Sequence, residues 1–412
     1  MTMNTTYPTQ IPVTEAVRLL QERAPKLGSK RLPLLESYGR ILAEDIAALV
    51  DHPSLDNSAM DGYACKLEDT LSASDENPVR LEVIADIPAG SVFEGEVKSG
   101  QAVSIYTGAP MPKGTNAVVP VEKTRLEQNT VIVSQPADPT NVRPKGQDFK
   151  KGEVHLKCGL KLSAASVGLA ASMGHATLKV VERPKVGILA TGDEVVEPGQ
   201  AVRDGQVFNS NTYSIAGLVK AAGAEAIVLP NVHDDKDVLA SALANVGQLD
   251  LILTTGGVSM GKYDFVRDLL FEEGEVHFWK VAMKPAGPVL FGTWRDLPML
   301  GLPGNPVSCM IAFLILAKAF LQASTGEMTP LPYHQRTWAI AEDNLKGAGV
   351  KENFARVRLL ENRAGLLATT TGNQSSGVLT SMLFADALAV VPPNVNYKKG
   401  ERLEVIRLEG YL

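Results

Sequence analysis

Five acidic side chains stand in three short loops, and each loop follows an apolar stretch: Asp193, Glu194, Asp234, Asp235 and Asp264. Carboxylates brought together without paired bases repel one another, and a hard cation such as Mg²⁺ relieves that repulsion. Histidine and cysteine, which zinc prefers, are absent from these loops apart from one histidine at position 233. The acids therefore predict a magnesium site near Glu194, Asp234 and Asp264.

Groups that attract anions accompany these acids. Gly256 and Gly257 end a short apolar stretch, and glycine lets backbone N–H groups approach a ligand closely. The segment LPGNPVS places Pro306 at the first position of a helix, whose amino end favours negative charge. Lys280 and Lys284 add positive charge nearby. Together with the expected cation, these groups indicate a phosphorylated ligand.

Strands alternating with helices must position these loops. Residues 186–190, 226–229 and 251–253 have the pattern of buried strands, and a helix is expected over about residues 211–222. This alternation predicts a doubly wound, mostly parallel sheet, which binds ligands outside the carboxyl ends of its strands. The loops TGDE, HDD, TTGGVS and PGNPVS all fall at that edge. A single Gly-Gly turn is more often a plain connection before a helix capped by Asp264, so the prediction depends on all four loops.

The first half of the chain has a different character. Residues 14–46 look helical, with Thr14 as the cap of the first helix and a second helical segment at residues 32–43, and another helix is expected over residues 163–173. Residues 49–63 have the composition of a polar loop, rich in Pro, Asn, Ser, Asp and Gly. Residues 80–135 alternate like strands separated by glycine turns, which predicts a mostly-β insertion.

The last part of the chain alternates in short segments without a helix of any length, as in a small β-barrel. The expected fold class is therefore a multidomain α/β protein. Its predicted domains are a helical domain of residues 1–48 and 148–182, an inserted mostly-β domain of residues 49–147, an α/β domain of residues 183–330 and a β-barrel of residues 331–412.

Composition excludes several classes of protein. A formal charge of −6 over 412 residues, without a Lys/Arg cluster, argues against a nucleic-acid partner. Cys65, Cys158 and Cys309 lack metal or redox spacing, which fits buried thiols in a reducing compartment. The N-terminal stretch lacks the pattern of a signal peptide, and the longest apolar run is about half the ~20 residues that span a bilayer. The expected location is the cytoplasm.

An ordered set of motifs then gives a resemblance over essentially the whole chain: DNSAMDGYA, YTGAPMP, RPKGQDF, TGDE, TTGGVSMGKYDF, FWKVAMKP and GLPGNPVS. Together they resemble the molybdopterin molybdenumtransferases of the MoeA type, also found as the C-terminal segment of gephyrin. The resemblance implies insertion of molybdate into adenylylated molybdopterin with Mg²⁺, releasing AMP and molybdenum cofactor. It also implies a homodimer, and a molybdopterin adenylyltransferase and apo-molybdoenzymes or their chaperones as partners.

The resemblance carries site residues over motif by motif. Asp61, Thr107 and Asp148 match the far side of the site, and Lys280 with Lys284 match a basic pair facing an oxyanion. Ser308, Arg356 and Ser376 match positions associated with molybdate. The expected catalytic residues are Asp61, Asp148, Glu194, Asp264, Lys280 and Lys284. The expected substrate-binding residues are Thr107, Thr191, Gly192, Asp193, Asp234, Gly256, Gly257, Ser259, Pro303, Gly304, Pro306, Ser308, Arg356 and Ser376.

One departure from the family pattern concerns a cation. Many similar chains read KPGKP where residues 284–288 here read KPAGP, so Gly287 replaces a second lysine and anion binding is expected to rely more on Lys284. Two other functions remain open at this point. One is molybdopterin adenylyltransferase activity, which residues 185–325 alone would fit, and the other is a non-catalytic scaffold like the gephyrin segment. The choice between molybdate and tungstate is also open.

Overall fold

The strand expected at residues 251–253 is buried along its whole length and lies inside a seven-stranded sheet. The computed structural model describes residues 7–232, 236–244, 246–258, 264–363 and 365–410. The sheet pairs in parallel except at the two contacts of its third strand, which are antiparallel. In spatial order the strands are Thr9–Ile11, Glu275–Val281, Leu290–Trp294, Leu297–Leu302, Leu251–Thr255, Lys185–Ala190 and Glu225–Val228.

Helices cover both faces of this sheet. Alternate side chains of one strand divide between two apolar clusters, with Leu251 and Leu253 in one and Ile252 in the other. A strand buried on both faces is typical of a doubly wound sheet, so that prediction is confirmed. The first cluster includes the helices Val13–Glu22, Asn211–Ala221 and Pro306–Thr325, and the second includes Lys236–Ala244 and Phe265–Glu273.

The helical stretch Pro306–Thr325 is long and apolar enough to cross a membrane, but 94% of its most apolar window is buried inside the protein. It contains a π-helical turn at Phe313–Ala317 between two α-helical segments, Pro306–Ala312 and Lys318–Thr325. Burial on all sides explains why its sequence shows no polar face. It is therefore a core helix of the α/β sheet.

The inserted region forms a six-stranded sheet with apolar side chains buried on both faces. The expectation of a polar loop over residues 49–63 was wrong in part, because two short strands lie there, Asn57–Ser58 and Gly62–Cys65. Buried Tyr63, Ala64 and Cys65 stabilise the second of these as an interior strand. In spatial order the sheet contains Ala117–Pro120, Gly62–Cys65, Gln101–Ile105, Val79–Ile87, Thr130–Val133 and Thr124–Glu127.

The helical prediction for the first 46 residues was correct only for the first helix, Val13–Glu22, which begins after Pro12 rather than at a Thr14 cap. Residues 32–43 were wrongly predicted as helix. Pro33 has no N–H group to donate, and the segment instead forms the strand Ser29–Pro33 followed by a four-residue helix, Leu34–Ser37. The later helix Ala164–Ser172 is confirmed, with a capping box formed by Ser163 and Ser166. Smaller strand pairs complete this region: Thr177–Val181 with Ser29–Pro33, Ile46–Ala47 with Val154–Leu156, and Val142–Arg143 with Asn57–Ser58.

The C-terminal strands close into a five-stranded barrel, as predicted, because the strand Glu352–Asn362 pairs on both sides within the ring. One four-residue helix, Thr380–Leu383, interrupts the strands, contrary to the expectation of no helix. A two-residue strand of the α/β region, Met283–Lys284, adds to the outside of the barrel. The barrel strands are Arg336–Ala341, Glu352–Asn362, Gly365–Thr370, Ala387–Val391 and Arg402–Arg407.

Two glycines provide a matched test of this packing. A Cβ atom at Gly62 would lie 2.0 Å from the carbonyl oxygen of Val119 on the paired strand, whereas one at Gly168 would meet nothing within 4 Å. We expect Gly62→Ala to destabilise the protein by about 2–4 kcal/mol because the strands must separate. We expect Gly168→Ala to be neutral or to stabilise the exposed helix by up to about 1 kcal/mol. Differential scanning calorimetry of both variants measures this, and equal stability of Gly62→Ala and wild type would contradict it.

Candidate functional site

A cleft of about 770 Å³ opens at the carboxyl ends of the central parallel strands. Cavities of this size accommodate ligands as large as a nucleotide derivative. The structure brings together here residues of three of the four predicted loops, TGDE, TTGGVS and PGNPVS, while the HDD loop lies outside the described residues. The described residues that line it include Thr191, Gly192, Glu194, Gly256, Gly257, Asp264, Pro303, Gly304 and Pro306, together with Asn209, Asn211, Pro288 and Gly377.

Three glycines in the loops that line this cleft allow backbone conformations and close approaches that other residues do not. Gly192, Gly256 and Gly257 have φ values of 124°, 130° and 70°, which only glycine adopts without strain. A Cβ atom at Gly256 would also lie 3.1 Å from the Thr191 hydroxyl. Glycine is therefore required here both for backbone conformation and for the approach of two loops.

The turn before the helix Pro306–Thr325 is tied to its neighbours by hydrogen bonds. Asn211 donates from its side chain to the carbonyl oxygen of Gly304 at 2.7 Å. The amide of Val307, in the first helical turn, donates to the carbonyl oxygen of Ser376 at 3.1 Å. That amide is therefore satisfied by the C-terminal barrel region, and the anion-binding capacity expected of the helix end is reduced by one donor. Ser308, in the same turn, is buried.

Two of the three predicted metal ligands line the cleft. Glu194 is exposed, Asp264 is buried at the N-cap position of the helix Phe265–Glu273, and the Arg267 guanidinium lies 3.7 Å from the Asp264 carboxylate. Asp234 and Ser259 lie outside the described residues. Within the described ranges, no group of three or more His, Cys, Asp or Glu side chains is arranged to hold a metal. Two carboxylates suit Mg²⁺, which usually takes one or two from the protein and its other oxygens from phosphate and water.

The predicted basic pair lies to one side of the cleft. Lys280 is half-buried with its ammonium 4.2 Å from the centre of the Trp279 ring, in a cation–π contact. Lys284 is exposed, and its backbone pairs with Asn353 of the barrel. Pro288, four residues further on, lines the cleft. The turn at residues 284–288 thus connects the basic pair to the cleft wall.

Arg356, which the resemblance associates with molybdate, is held by hydrogen bonds within the barrel region. Its side chain is buried, and its guanidinium donates to the Ser381 hydroxyl at 3.1 Å and to the carbonyl oxygens of Ser375 and Asn373 at 3.1 and 3.4 Å. Burial lowers the pKa of Arg356 to about 10, so it stays protonated at neutral pH. It holds the loop that carries half-buried Ser376 against the cleft, and does not itself line the cleft among the described residues.

The far-side residues form a separate group. Asp61 accepts hydrogen bonds from the amide and the hydroxyl of Thr107, both at 2.7 Å, and these bonds lower the pKa of Asp61 below its usual value. Asp148 lines another cavity, of about 460 Å³, with His52, Asn57 and Arg143. These residues therefore do not share a cavity with Glu194 and Asp264.

Sequence reasoning missed one network beside the cleft. Glu197 accepts hydrogen bonds from Asn209 at 2.8 Å, Tyr213 at 2.9 Å and Asn231 at 3.0 Å, and these lower its pKa. They fix the strand pair Val195–Val196 and Val207–Phe208, which borders the cleft. The four residues are spread over 35 positions of polar sequence, from 197 to 231, and no local pattern connects them.

Three family models match successive parts of the chain. The MoeA N-terminal region, domains I and II, matches residues 11–174, and a probable molybdopterin binding domain matches residues 187–323. The MoeA C-terminal region, domain IV, matches residues 339–408. Both described acids of the cleft lie within the second match, and so do its other lining residues except Gly377, which lies within the third.

Similar proteins agree over the full length. The chain is 37% identical to a molybdopterin molybdenumtransferase of Haemophilus influenzae over 89% of both chains, and 34% identical to that of Bacillus subtilis over 97% of this chain and 94% of the other. A crystal structure of a molybdopterin biosynthesis MoeA protein from Pyrococcus horikoshii superimposes with a TM-score of 0.80, at 31% identity, covering 96% of this chain and 99% of that one. The chain therefore belongs to the MoeA family of molybdopterin molybdenumtransferases.

Proposed function

We propose that this molybdenumtransferase takes adenylylated molybdopterin and molybdate as substrates, requires Mg²⁺, and releases AMP with the finished molybdenum cofactor. The observation that carries the proposal is the cleft itself. It joins glycine turns and two carboxylates from separate strand ends in one cavity of about 770 Å³, which is lined mainly by the region matched to molybdopterin binding. A phosphoanhydride with two attached ring systems has the size and charge for such a cavity.

The glycines and the two carboxylates of the cleft would have different roles at the substrate's phosphates. The backbone at Gly256 and Gly257 approaches the phosphates without obstruction from side chains. Glu194 and Asp264 would hold Mg²⁺, which when bound stabilises negative charge on the phosphates as AMP leaves. Asp264 keeps its orientation because it is buried and lies beside Arg267.

Molybdate is a dianion that exchanges oxo groups for the two dithiolene sulfurs and loses oxygen as water. Cations that hold an oxyanion favour its approach to an anionic substrate. Lys280 and Lys284 would supply such charge from the segment that leads to Pro288, which lines the cleft. Full-length similarity to molybdenumtransferases supports this reaction over adenylylation of molybdopterin, which would need only the middle part of the chain.

The first experiment changes the two acids. We expect Asp264→Asn and Glu194→Gln each to slow molybdate-dependent AMP release by at least about 100-fold, or about 2.7 kcal/mol of barrier, because each removes a carboxylate from the cation site. Glu225→Gln, at the amino end of a strand in the same sheet, is the matched control and should keep wild-type activity.

AMP release from adenylylated molybdopterin is followed by chromatography, with molybdate or tungstate and with increasing Mg²⁺. We expect wild-type activity to disappear in excess EDTA and to return with Mg²⁺. Full activity in EDTA would exclude the magnesium requirement, and release of AMP at the same rate without either oxyanion would contradict the proposed reaction.

We also propose that the working site is shared between two copies of the chain. The support is that Asp61, Thr107 and Asp148 carry the family's motifs but do not line the cleft of Glu194 and Asp264. The first half of the chain also exposes apolar side chains that water does not favour, including Leu35 at 94% and Tyr38 at 65% of full exposure. A two-fold dimer would cover such a surface and bring each cleft to the far-side acids of the partner.

Complementation tests the shared site. Asp61→Asn and Asp264→Asn should each be almost inactive, but a co-refolded mixture contains heterodimers in which one site holds both aspartates. Because random pairing makes about half of the dimers mixed, roughly a quarter of wild-type activity should return. Mass spectrometry of differently tagged chains confirms that subunits have exchanged. If they have exchanged and the mixture remains inactive, the site belongs to a single chain.

A further inference from the structure

The ammonium group of Lys351 lies beside the turn at residues 284–288, although Lys351 is not part of that turn. A Cβ atom built on Gly287 would lie 3.6 Å from the side-chain nitrogen of Lys351. The only closer neighbour among the described atoms is the carbonyl oxygen of Met283, at 3.4 Å. Lys351, which is 64 positions further along the chain, therefore places its charge at the position where a side chain of residue 287 would begin.

Backbone pairing fixes this arrangement. The amide of Glu352 donates to the carbonyl oxygen of Ala282 at 2.9 Å, and Met283 pairs with Glu352 in the two-residue strand that joins the barrel. The amide of Lys351 donates to the carbonyl oxygen of Ala348, which closes a tight turn before the barrel strand. The backbone of Lys351 is thus held beside the turn by the way the barrel docks on the α/β region, and its half-buried side chain reaches Gly287 from there.

The charge of Lys351 is not balanced by a neighbouring carboxylate. Within the described part of the chain, its ammonium forms no ion pair and no side-chain hydrogen bond, although the residue is half-buried. The adjacent acid, Glu352, is engaged by Arg336 at 3.2 Å and by the Tyr333 hydroxyl at 2.9 Å. An ammonium without a carboxylate partner can make a charge-assisted contact with an anionic ligand.

We propose that Lys351 is the second cation of the oxyanion site, acting with Lys284 across the joint between the α/β region and the barrel. Its ligand is a tetrahedral dianion at the edge of the cleft that Pro288 lines, immediately after Gly287. This inference rests on the proposed function for the identity of that dianion, which is either molybdate or a substrate phosphate. Gly287 is then the residue that leaves room for Lys351, and Lys284 does not carry the oxyanion alone.

Titration calorimetry with sodium molybdate and, separately, with inorganic phosphate and AMP tests the proposal on the full chain. We expect Lys351→Ala to weaken binding of the dianion by about 10-fold or more, as for loss of a charge-assisted contact. Weaker binding of molybdate with unchanged binding of phosphate and AMP identifies molybdate as the ligand, and the reverse identifies the phosphate. The control Lys346→Ala, an exposed lysine of the same barrel, should bind all three like wild type.

A double variant that moves the lysine from position 351 to position 287 gives a sharper test. Gly287 does not have a positive φ, and its surroundings leave ordinary contact distances for a Cβ atom, so Gly287→Lys is compatible with the fold once Lys351 is shortened. We expect the double variant Gly287→Lys/Lys351→Ala to recover most of the lost affinity, because the ammonium enters from the turn instead of from the barrel. Thermal midpoints equal to wild type show that the variants are folded.

Wild-type affinity in Lys351→Ala would overturn the inference, and so would a folded double variant that recovers none of the loss. The experiments also distinguish failure of this inference from failure of the proposed reaction. If wild type binds the dianion through Lys351 but releases no AMP, the reaction is wrong and the cation site remains. If wild type catalyses the reaction and Lys351→Ala binds and turns over like wild type, the reaction remains and the role of Lys351 is wrong.

Discussion

Parallel pairing of three strands sets the position of everything in the cleft. The strands ending at Ala190, Thr255 and Leu302 lie side by side, so the loops that follow them leave the sheet at one edge. Side chains on both faces of these strands are buried, which prevents any shift of register without exposing the core. Glu194, Asp264 and the Gly256 turn are therefore held relative to one another by an apolar sheet, although these polar residues themselves lie in the loops that follow its strands.

A second constraint is the joint between this sheet and the barrel. The contacts that join the two include the strand pairing of Met283–Lys284 with the barrel, the hydrogen bond from the Val307 amide to Ser376, and the approach of Lys351 to Gly287. Barrel side chains such as Phe354 and Leu388 also pack in the apolar cluster of the sheet. Arg356 stabilises the barrel side of the joint, because its guanidinium holds the loop at residues 373–381 by three hydrogen bonds. Loss of Arg356 would thus act on the cleft through the position of that loop.

The sequence predicted the parts of the fold and site whose signals are local. The buried central strands, the helix at residues 163–173 and the glycine turns each depend on a few adjacent residues, and they are found where expected. The strand expected to be buried at residues 226–229 is found as Glu225–Val228, but it lies at the edge of the sheet and is not buried. The helix expected at residues 32–43 failed because strand pairing with Thr177–Val181 decides that segment, and that partner is distant in sequence. Contacts between distant residues, such as the network of Glu197 or Lys351 beside Gly287, leave no periodic or spacing signal. The same reason explains Arg356, whose motif indicated the correct neighbourhood but not that its side chain is buried.

Charge in the cleft must be balanced across separate parts of the chain. The described cleft contains two carboxylates, whereas the lysines proposed to hold an oxyanion lie at the turn of residues 284–288 and on the barrel. A dianion held by Lys284 and Lys351 would therefore bind to both sides of the joint at once. Suppose a ligand binds more tightly when the barrel is docked on the α/β region than when it is not. Because the coupling between binding and docking is reciprocal, the ligand then stabilises docking by the same free energy by which docking strengthens its binding. If the proposed site holds, oxyanion binding would stabilise the placement of the barrel against the cleft, and with it the position of the loop that carries Ser376.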